Sequence, residues 1–296
     1  MSNPRAALPY AVAAYLSWGF LPIYFKALHG VPPVEILAHR VAWSMLLLSV
    51  LVVAMGRAAA LREALGPGKR GALVASTLLI AVNWLLYIWA VQAGRVLEAS
   101  LGYFINPLVN VLLGRWFLGE RLTRRQAFAV GLAAAGVLAL VIRQGTFPWV
   151  ALVLALSFGS YGLVRKRAGI DPVAGLLAET ALLAPFALGL LGWRAVSGTG
   201  AFGSGAGVSA LLAAAGVITA LPLVWFAVGV RHLRLSTMGI VQYLAPTGQF
   251  LLAVLLYREP FTAAHALAFG CIWSALGLYT WEALARTRVL VVEPEP

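Results

Sequence analysis

The polar side chains that could bind a small molecule lie inside apolar runs of the sequence, at helical spacing. Tyr103, Asn106 and Asn110 recur at i, i+3 and i+7, which places them on one face of a helix. Pro107 interrupts this polar stripe and removes one backbone hydrogen bond, which leaves a carbonyl group free. We predict that the stripe lines a cavity and binds a polar group of a substrate, with Pro107 as a hinge. The alternative is that these side chains only form hydrogen bonds between packed helices.

A second polar stripe lies in the other half of the chain. The shift that brings Pro107 onto Pro246 also brings Asn110 onto Gln249, and Gln242 takes the place of the tyrosine. Two equivalent helices therefore each carry polar residues around a proline, and we predict the same roles for both.

Further candidates are aromatic residues near the centres of apolar runs and one polar pair at i, i+4. Asn83 and Tyr87 form that pair, and polar groups at such depth usually face protein or water rather than lipid. The predicted substrate-binding residues are Trp18, Asn83, Tyr87, Tyr103, Asn106, Asn110, Tyr161, Trp225, Gln242 and Gln249, and the predicted hinges are Pro107 and Pro246.

Ionisable residues inside the apolar runs are few. Glu35, His39 and Arg40 cluster near one end of the second run, and Glu179 stands where Arg40 aligns in the second half. We predict that the cluster forms an ion-pair network at the mouth of the protein rather than a proton relay.

The composition excludes a soluble protein. Of 296 residues, 61% are hydrophobic and 11% are charged, whereas a soluble domain carries about 25% charged residues. Ten apolar runs are long enough to cross about 30 Å of hydrocarbon. They are 7–27, 34–55, 71–91, 97–118, 125–143, 147–165, 173–193, 207–229, 236–257 and 263–284. The predicted fold is an all-α polytopic membrane protein of ten transmembrane helices.

Lys and Arg concentrate in alternate connections between the runs, such as 57–70 and 115–125. Because cytoplasmic loops are enriched in these residues, we predict that both termini are cytoplasmic. The net charge of +12 is then explained by topology and by anionic lipid headgroups, and we expect no nucleic-acid partner.

The two halves of the chain resemble each other weakly, which predicts one repeat over residues 1–145 and a second over 146–296. Leu16–Gly19 matches Leu156–Gly159 in addition to the polar stripes. Five spans are an odd number, so the second repeat enters the membrane inverted. Lys and Arg are frequent in the connections on one side of the membrane, whichever repeat those connections belong to. Two inverted copies in one fixed orientation require this distribution. Chance similarity is the alternative.

Four motifs make the chain similar to a known family. They are SWGFLPIYFK (17–26), NWLLYIWAV (83–91), LEASLGYFINPL (97–108) and GERL (119–122). Together they resemble the RarD-type permeases in the EamA-like branch of the drug/metabolite transporter superfamily. The resemblance implies ten helices in two inverted five-helix repeats, a central cavity and export of amino acids or related metabolites. The related YddG-type exporters of amino acids are the nearest functional analogy.

The first span contains no acidic residue, whereas small multidrug transporters of the same superfamily use an acid there for protons and cationic drugs. The resemblance therefore favours neutral or zwitterionic cargo.

We therefore expect a secondary transporter in the bacterial inner membrane, working by alternating access and functioning as a monomer. The alternatives are an efflux permease for drugs, sugars or nucleotide-sugars, and a membrane enzyme or scaffold that transports nothing. Residues 66–70 lack the upstream glycine and the following Ser or Thr of a phosphate loop, and no HExxH motif occurs. We accordingly predict no catalytic residue, no metal ligand and no cofactor, and the expected partners are the small-molecule substrate and the lipid bilayer.

Overall fold

The structure is a computed structural model that describes residues 4–119, 121–233, 237–238 and 241–289, and every regular element in these ranges is helical. The α-helices are α1 (Pro4–Ala27), α2 (Pro33–Ala54), α3 (Ala58–Ala64), α4 (Arg70–Gln92), α5 (Val96–Phe117), α6 (Arg124–Gln144), α7 (Trp149–Ala168), α8 (Pro172–Val196), α9 (Ala206–His232), α10 (Leu244–Leu251) and α11 (Ala263–Val289). A 3-10 turn, Pro67–Lys69, precedes α4, and a π-helical turn, Leu252–Leu256, continues α10. Residue 120, and residues 236, 239 and 240 of the ninth predicted span, lie outside the described ranges.

Eight of the described helices, namely α1, α2, α4, α5, α6, α8, α9 and α11, are long and apolar enough to cross a membrane. This confirms a polytopic helical membrane protein. The predicted span 147–165 is not among the eight, because α7 carries Arg165, Lys166 and Arg167 in its last turn. The ninth predicted span is represented by the shorter apolar segment Leu244–Leu256.

Local sequence signals explain several helix starts. The hydroxyl of Thr123 accepts a hydrogen bond from the backbone of Gln126, whose side chain binds the backbone of Thr123 in return. The carboxylate of Asp171 accepts hydrogen bonds from the N–H groups of Val173 and Ala174. These contacts satisfy backbone donors that have no partner within a helix.

The helix connections gather at two opposite ends of the bundle. At one end, the side chain of Gln92 donates hydrogen bonds to the carbonyls of Leu28 and Val31, so the connection after α4 meets the connection after α1. Glu259, after α10, accepts hydrogen bonds from Val96 and Leu97 at the start of α5. These contacts tie three of the connections together.

At the other end, Arg57 forms an ion pair with Asp171 at 2.5 Å, which joins the connections after α2 and α7. Thr123, before α6, donates a hydrogen bond to Glu282 of α11. Successive long helices therefore run in alternate directions between the two ends.

Small residues bring the central helices close together. A Cβ added to Gly102 of α5 would lie 2.6 Å from the carbonyl oxygen of Ala151 in α7, and one added to Gly216 of α9 would lie 2.7 Å from the carbonyl oxygen of Trp43 in α2. Helices in membranes associate largely through such close packing. These contacts set the spacing of the helices that carry the candidate site.

Candidate functional site

Five aromatic side chains from four helices form a continuous row across the bundle. Ring centroids are 5.9 Å apart from Phe25 to Tyr87, 5.6 Å from Tyr87 to Tyr103, 6.1 Å from Tyr103 to Phe158, and 6.1 Å from Phe158 to Tyr161. Rings at these distances are in contact. We call these five residues the aromatic row. It contains three of the predicted site residues, from α4, α5 and α7.

One end of the aromatic row meets a buried cation, Arg40 of α2. The guanidinium carbon lies 4.2 Å from the ring centroid of Trp84 and 5.9 Å from that of Phe25. Its Nε donates a hydrogen bond of 2.8 Å to the hydroxyl of Thr219 in α9. The residue is 7% exposed, and it forms no ion pair with any residue that the structure describes.

The other end of the row meets a buried acid, Glu179 of α8, which is 1% exposed. Its carboxylate accepts hydrogen bonds from Ser76 at 2.6 Å, from Tyr161 at 3.2 Å and from Arg165 at 2.8 Å. The second terminal nitrogen of Arg165 donates to the carbonyl of Asp171. This acid is thus fully paired, in contrast to the cation at the opposite end.

Asn83 sits against the middle of the row and is 1% exposed. Its amide nitrogen donates hydrogen bonds to the carbonyl of Leu154 at 3.1 Å and to the hydroxyl of Ser157 at 2.9 Å. Its carbonyl oxygen accepts a hydrogen bond of 3.2 Å from the phenol of Tyr103. The amide therefore joins α4 to α7 and orients one ring of the row.

The amides of the first predicted stripe are also engaged with protein. Asn106 donates a hydrogen bond of 3.1 Å to the carbonyl of Ala155, and Asn110 donates one of 3.1 Å to the side-chain oxygen of Asn106. Pro107 is buried inside α5. These contacts are of the kind that packing requires, and the exposed Asn110 is the member of the stripe that is most open to a ligand.

The second predicted stripe contacts a different set of residues from the first. Gln249 donates a hydrogen bond of 3.2 Å to the backbone carbonyl of Trp18. The ring of Trp18 is 5.2 Å from Tyr15 and 5.7 Å from Phe226. The side-chain oxygen of Gln249 is buried and has no hydrogen-bond partner within the described ranges.

The contacts of the described chain do not bring Gln242 or Trp225 into the aromatic row, the first stripe or the group around Gln249. Gln242 lies in the turn that precedes α10, and Trp225 is half-buried on α9. Pro246, the second predicted hinge, is the third residue of α10. Unlike Pro107, it follows a turn instead of interrupting a long described helix.

Sequence reasoning placed Arg40 in an ion-pair network at the mouth, and the structure differs there. Glu35 does pair with Arg194 at 3.0 Å and accepts a hydrogen bond from the backbone of Ala201. Arg40 points instead toward Trp84 and was missed as a site residue. Its alignment with the buried Glu179 across the two halves was the signal that could have found it.

Comparisons with known proteins decide the family. A sequence model of the EamA-like transporter family matches residues 5–142. "Protein RarD" of Escherichia coli is 45% identical over 286 residues, which cover 96% of this chain and 97% of that protein. An "Uncharacterized transporter" of Vibrio cholerae is 47% identical over 287 residues, with 95% and 94% covered. The chain belongs to the RarD-type branch of the EamA-like transporters.

Two further similarities concern this EamA-like transporter. A "Chloramphenicol-sensitive protein RarD" of Pseudomonas aeruginosa is 36% identical over 277 residues and covers 92% of each chain. One solved crystal structure superposes with a TM-score of 0.62 at 20% identity, over 95% of this chain and 99% of the other. At that identity the superposition shows a shared fold alone.

Proposed function

We propose that the protein is a secondary transporter that exports amino acids or similar small metabolites across the bacterial inner membrane by alternating access. It does so with ten transmembrane helices in two inverted repeats and with both termini in the cytoplasm. The proposal rests on family membership, on the packing of the two halves and on the aromatic row.

The observation that carries the mechanism is a pair of equivalent contacts. A Cβ added to Gly159 of α7 would lie 3.0 Å from the side chain of Val109 in α5. One added to Gly248 of α10 would lie 3.1 Å from Gly19 of α1. The repeat alignment makes Gly19 equivalent to Gly159, and Gly248 equivalent to Val109. Each contact joins one half to the other, and the same two positions meet in both contacts, which supports an inverted repeat.

Two halves that pack alike can exchange conformations, and that exchange opens a central site to one side of the membrane and then to the other. The match of the family model to residues 5–142 corresponds in length to one such half. The connections that share an end of the bundle are those that the charge pattern assigns to one side of the membrane. Reporter fusions should therefore place the 197–205 connection on the non-cytoplasmic side of the membrane, and a cytoplasmic signal there would contradict the topology.

The aromatic row supports the cargo class. Its rings offer apolar contact area, and the phenol oxygen of Tyr87, which has no hydrogen-bond partner in the described structure, places a polar group beside it. Sites for small molecules commonly combine apolar walls with a few polar groups that orient the ligand. An amino acid with an apolar side chain suits such a surface.

Counterflow in proteoliposomes tests this function. Liposomes that contain the purified protein and one unlabelled amino acid should accumulate the same labelled amino acid above the level of protein-free liposomes. A panel that includes L-phenylalanine and L-leucine covers the proposed cargo. No accumulation of any amino acid in the panel would refute amino-acid transport.

Chloramphenicol is the second compound to test in the counterflow assay, because a relative of 36% identity is named a chloramphenicol-sensitive protein. Accumulation of chloramphenicol without any amino acid would favour a drug permease. The absence of flux for every compound would leave a membrane enzyme or scaffold as the better description.

A further inference from the structure

We propose that Arg40 binds the carboxylate group of the cargo. This inference rests on the proposed transport function, and it makes the substrate class specific: small molecules with one carboxylate and an apolar body, such as α-amino acids and their keto-acid analogues.

Arg40 carries a buried positive charge. A guanidinium is permanently charged, and burying it without a partner is costly. Glu179 and Glu35, the buried acids of α8 and α2, are each paired with another arginine, Arg165 and Arg194. Arg40 has no such acid within the described part of the chain. A charge kept in this condition is expected to meet its counter-ion in a bound ligand.

The guanidinium of Arg40 has hydrogen-bond donors that the described protein does not use. Nε of Arg40 donates its hydrogen bond to the hydroxyl of Thr219, and the ring of Trp84 packs against one face of the guanidinium. Over the described ranges, neither terminal nitrogen of Arg40 donates a hydrogen bond to protein. A carboxylate is the group that such a pair of donors binds best, through two parallel hydrogen bonds. The Thr219 contact and the Trp84 ring hold the plane of the guanidinium in place.

Two polar groups near Arg40 have no hydrogen-bond partner in the described structure. Ser44 lies one helical turn beyond Arg40 on the same face of α2, is fully buried, and its hydroxyl has no partner in the described structure. The phenol oxygen of Tyr87, in the aromatic row, is likewise buried and unpaired. Buried polar atoms without partners are uncommon in native proteins. Both can contribute further hydrogen bonds to a ligand that Arg40 holds.

The surroundings of Arg40 favour a ligand with a single negative charge. Over the described ranges, its guanidinium is in contact with the hydroxyl of Thr219 and with the rings of Trp84 and Phe25, and none of these groups is a second cation. One cation balances a carboxylate, whereas a phosphate ester would bring about two negative charges into the same buried volume. The aromatic row next to Arg40 then accommodates the apolar body of the ligand.

Ligand-induced thermal stabilisation of the purified protein in detergent provides the first test, because a ligand that binds only the folded state raises the melting temperature. The probes are L-phenylalanine, phenylpyruvate and L-phenylalaninamide, in which the carboxylate is replaced by a neutral amide. We expect both acids to bind the parent protein at least about thirtyfold more tightly than the amide, because an unpaired buried charge weakens binding strongly. Equal binding of L-phenylalanine and its amide would overturn the proposal.

Variants of Arg40 provide the second test. Arg40→Gln should lose the preference for the acid, and Arg40→Lys should keep the preference with weaker binding, because lysine retains the charge without the planar fork. Arg143→Gln, at an exposed position near the end of α6, is the matched control and should behave as the parent. If Arg40→Gln does not fold, Arg40→Lys decides, and binding as tight as in the parent would overturn the proposal.

Counterflow separates this inference from the transport function. Flux of chloramphenicol or of L-phenylalaninamide, without thermal stabilisation by either acid, would refute the carboxylate site and retain the transport function. Stabilisation by the acids without any flux would retain the binding site and refute transport.

Discussion

The buried ion pair between Glu179 and Arg165 offers a quantitative test of the structure. The two side chains are 1% and 10% exposed, and their closest nitrogen and oxygen atoms are 2.8 Å apart. Removing one partner of a buried pair leaves an uncompensated charge and costs about 3–5 kcal/mol. Glu179→Gln should therefore lower the free energy of unfolding by about 3 kcal/mol, because Ser76 and Tyr161 can still donate to the amide oxygen.

The same protein contains a matched control. Lys69 and Glu63 form a pair of similar length, 2.7 Å, but their side chains are 23% and 67% exposed. Exposed pairs contribute about 0–1 kcal/mol, because water and salt screen them and both side chains lose conformational freedom. Glu63→Gln should therefore change stability by less than about 1 kcal/mol.

A double-mutant cycle measures the interaction itself. Unfolding in detergent is followed for the parent, Glu179→Gln, Arg165→Gln and the double variant, and the coupling energy is the departure from additivity. We expect about 2 kcal/mol or more for this pair and a value near zero for Lys69 with Glu63. Additive effects of Glu179→Gln and Arg165→Gln would refute the reasoning, because the two charges would then not depend on each other.

Gly102→Ala should destabilise the protein by about 1–3 kcal/mol, because the new methyl group meets a backbone oxygen of α7. Gly162→Ala is the control: its methyl group has open space within 4 Å, so the change should be neutral or stabilising. Unfolding in detergent compares the two variants. Pro107→Ala and Pro246→Ala should bias the protein toward opposite-facing states, and identical cysteine-labelling patterns from each side would exclude a hinge role. Asp171→Ala should cost about 1 kcal/mol at pH 7 through loss of the helix cap. Burial raises the pKa of the Asp171 carboxyl, but the backbone N–H groups of Ala174 and Val173 and the guanidinium of Arg57 together lower it below 3.8. Its contribution should therefore be present above pH 3.8 and fade as the pH falls below that value, which denaturation curves at several pH values would show.

Much of the fold could be predicted from the sequence, because lipid leaves a crossing segment few choices. Backbone groups in hydrocarbon must be satisfied within the segment, so each long apolar run becomes a helix. Helical spacing also predicted that Tyr103 and Asn106 share a face. The family motifs are local in the chain, and for that reason they were recognisable without coordinates.

The partners of the buried polar groups were decided by tertiary structure alone. Helical spacing cannot tell that Asn106 meets the carbonyl of Ala155, because the close approach of α5 and α7 through Gly102 determines that contact. The same holds for Arg40. The sequence predicted one ion-pair network for Glu35, His39 and Arg40, but Arg194, from the far end of α8, forms the ion pair with Glu35. A charge can be read from one residue, whereas its compensation depends on every helix that packs around it.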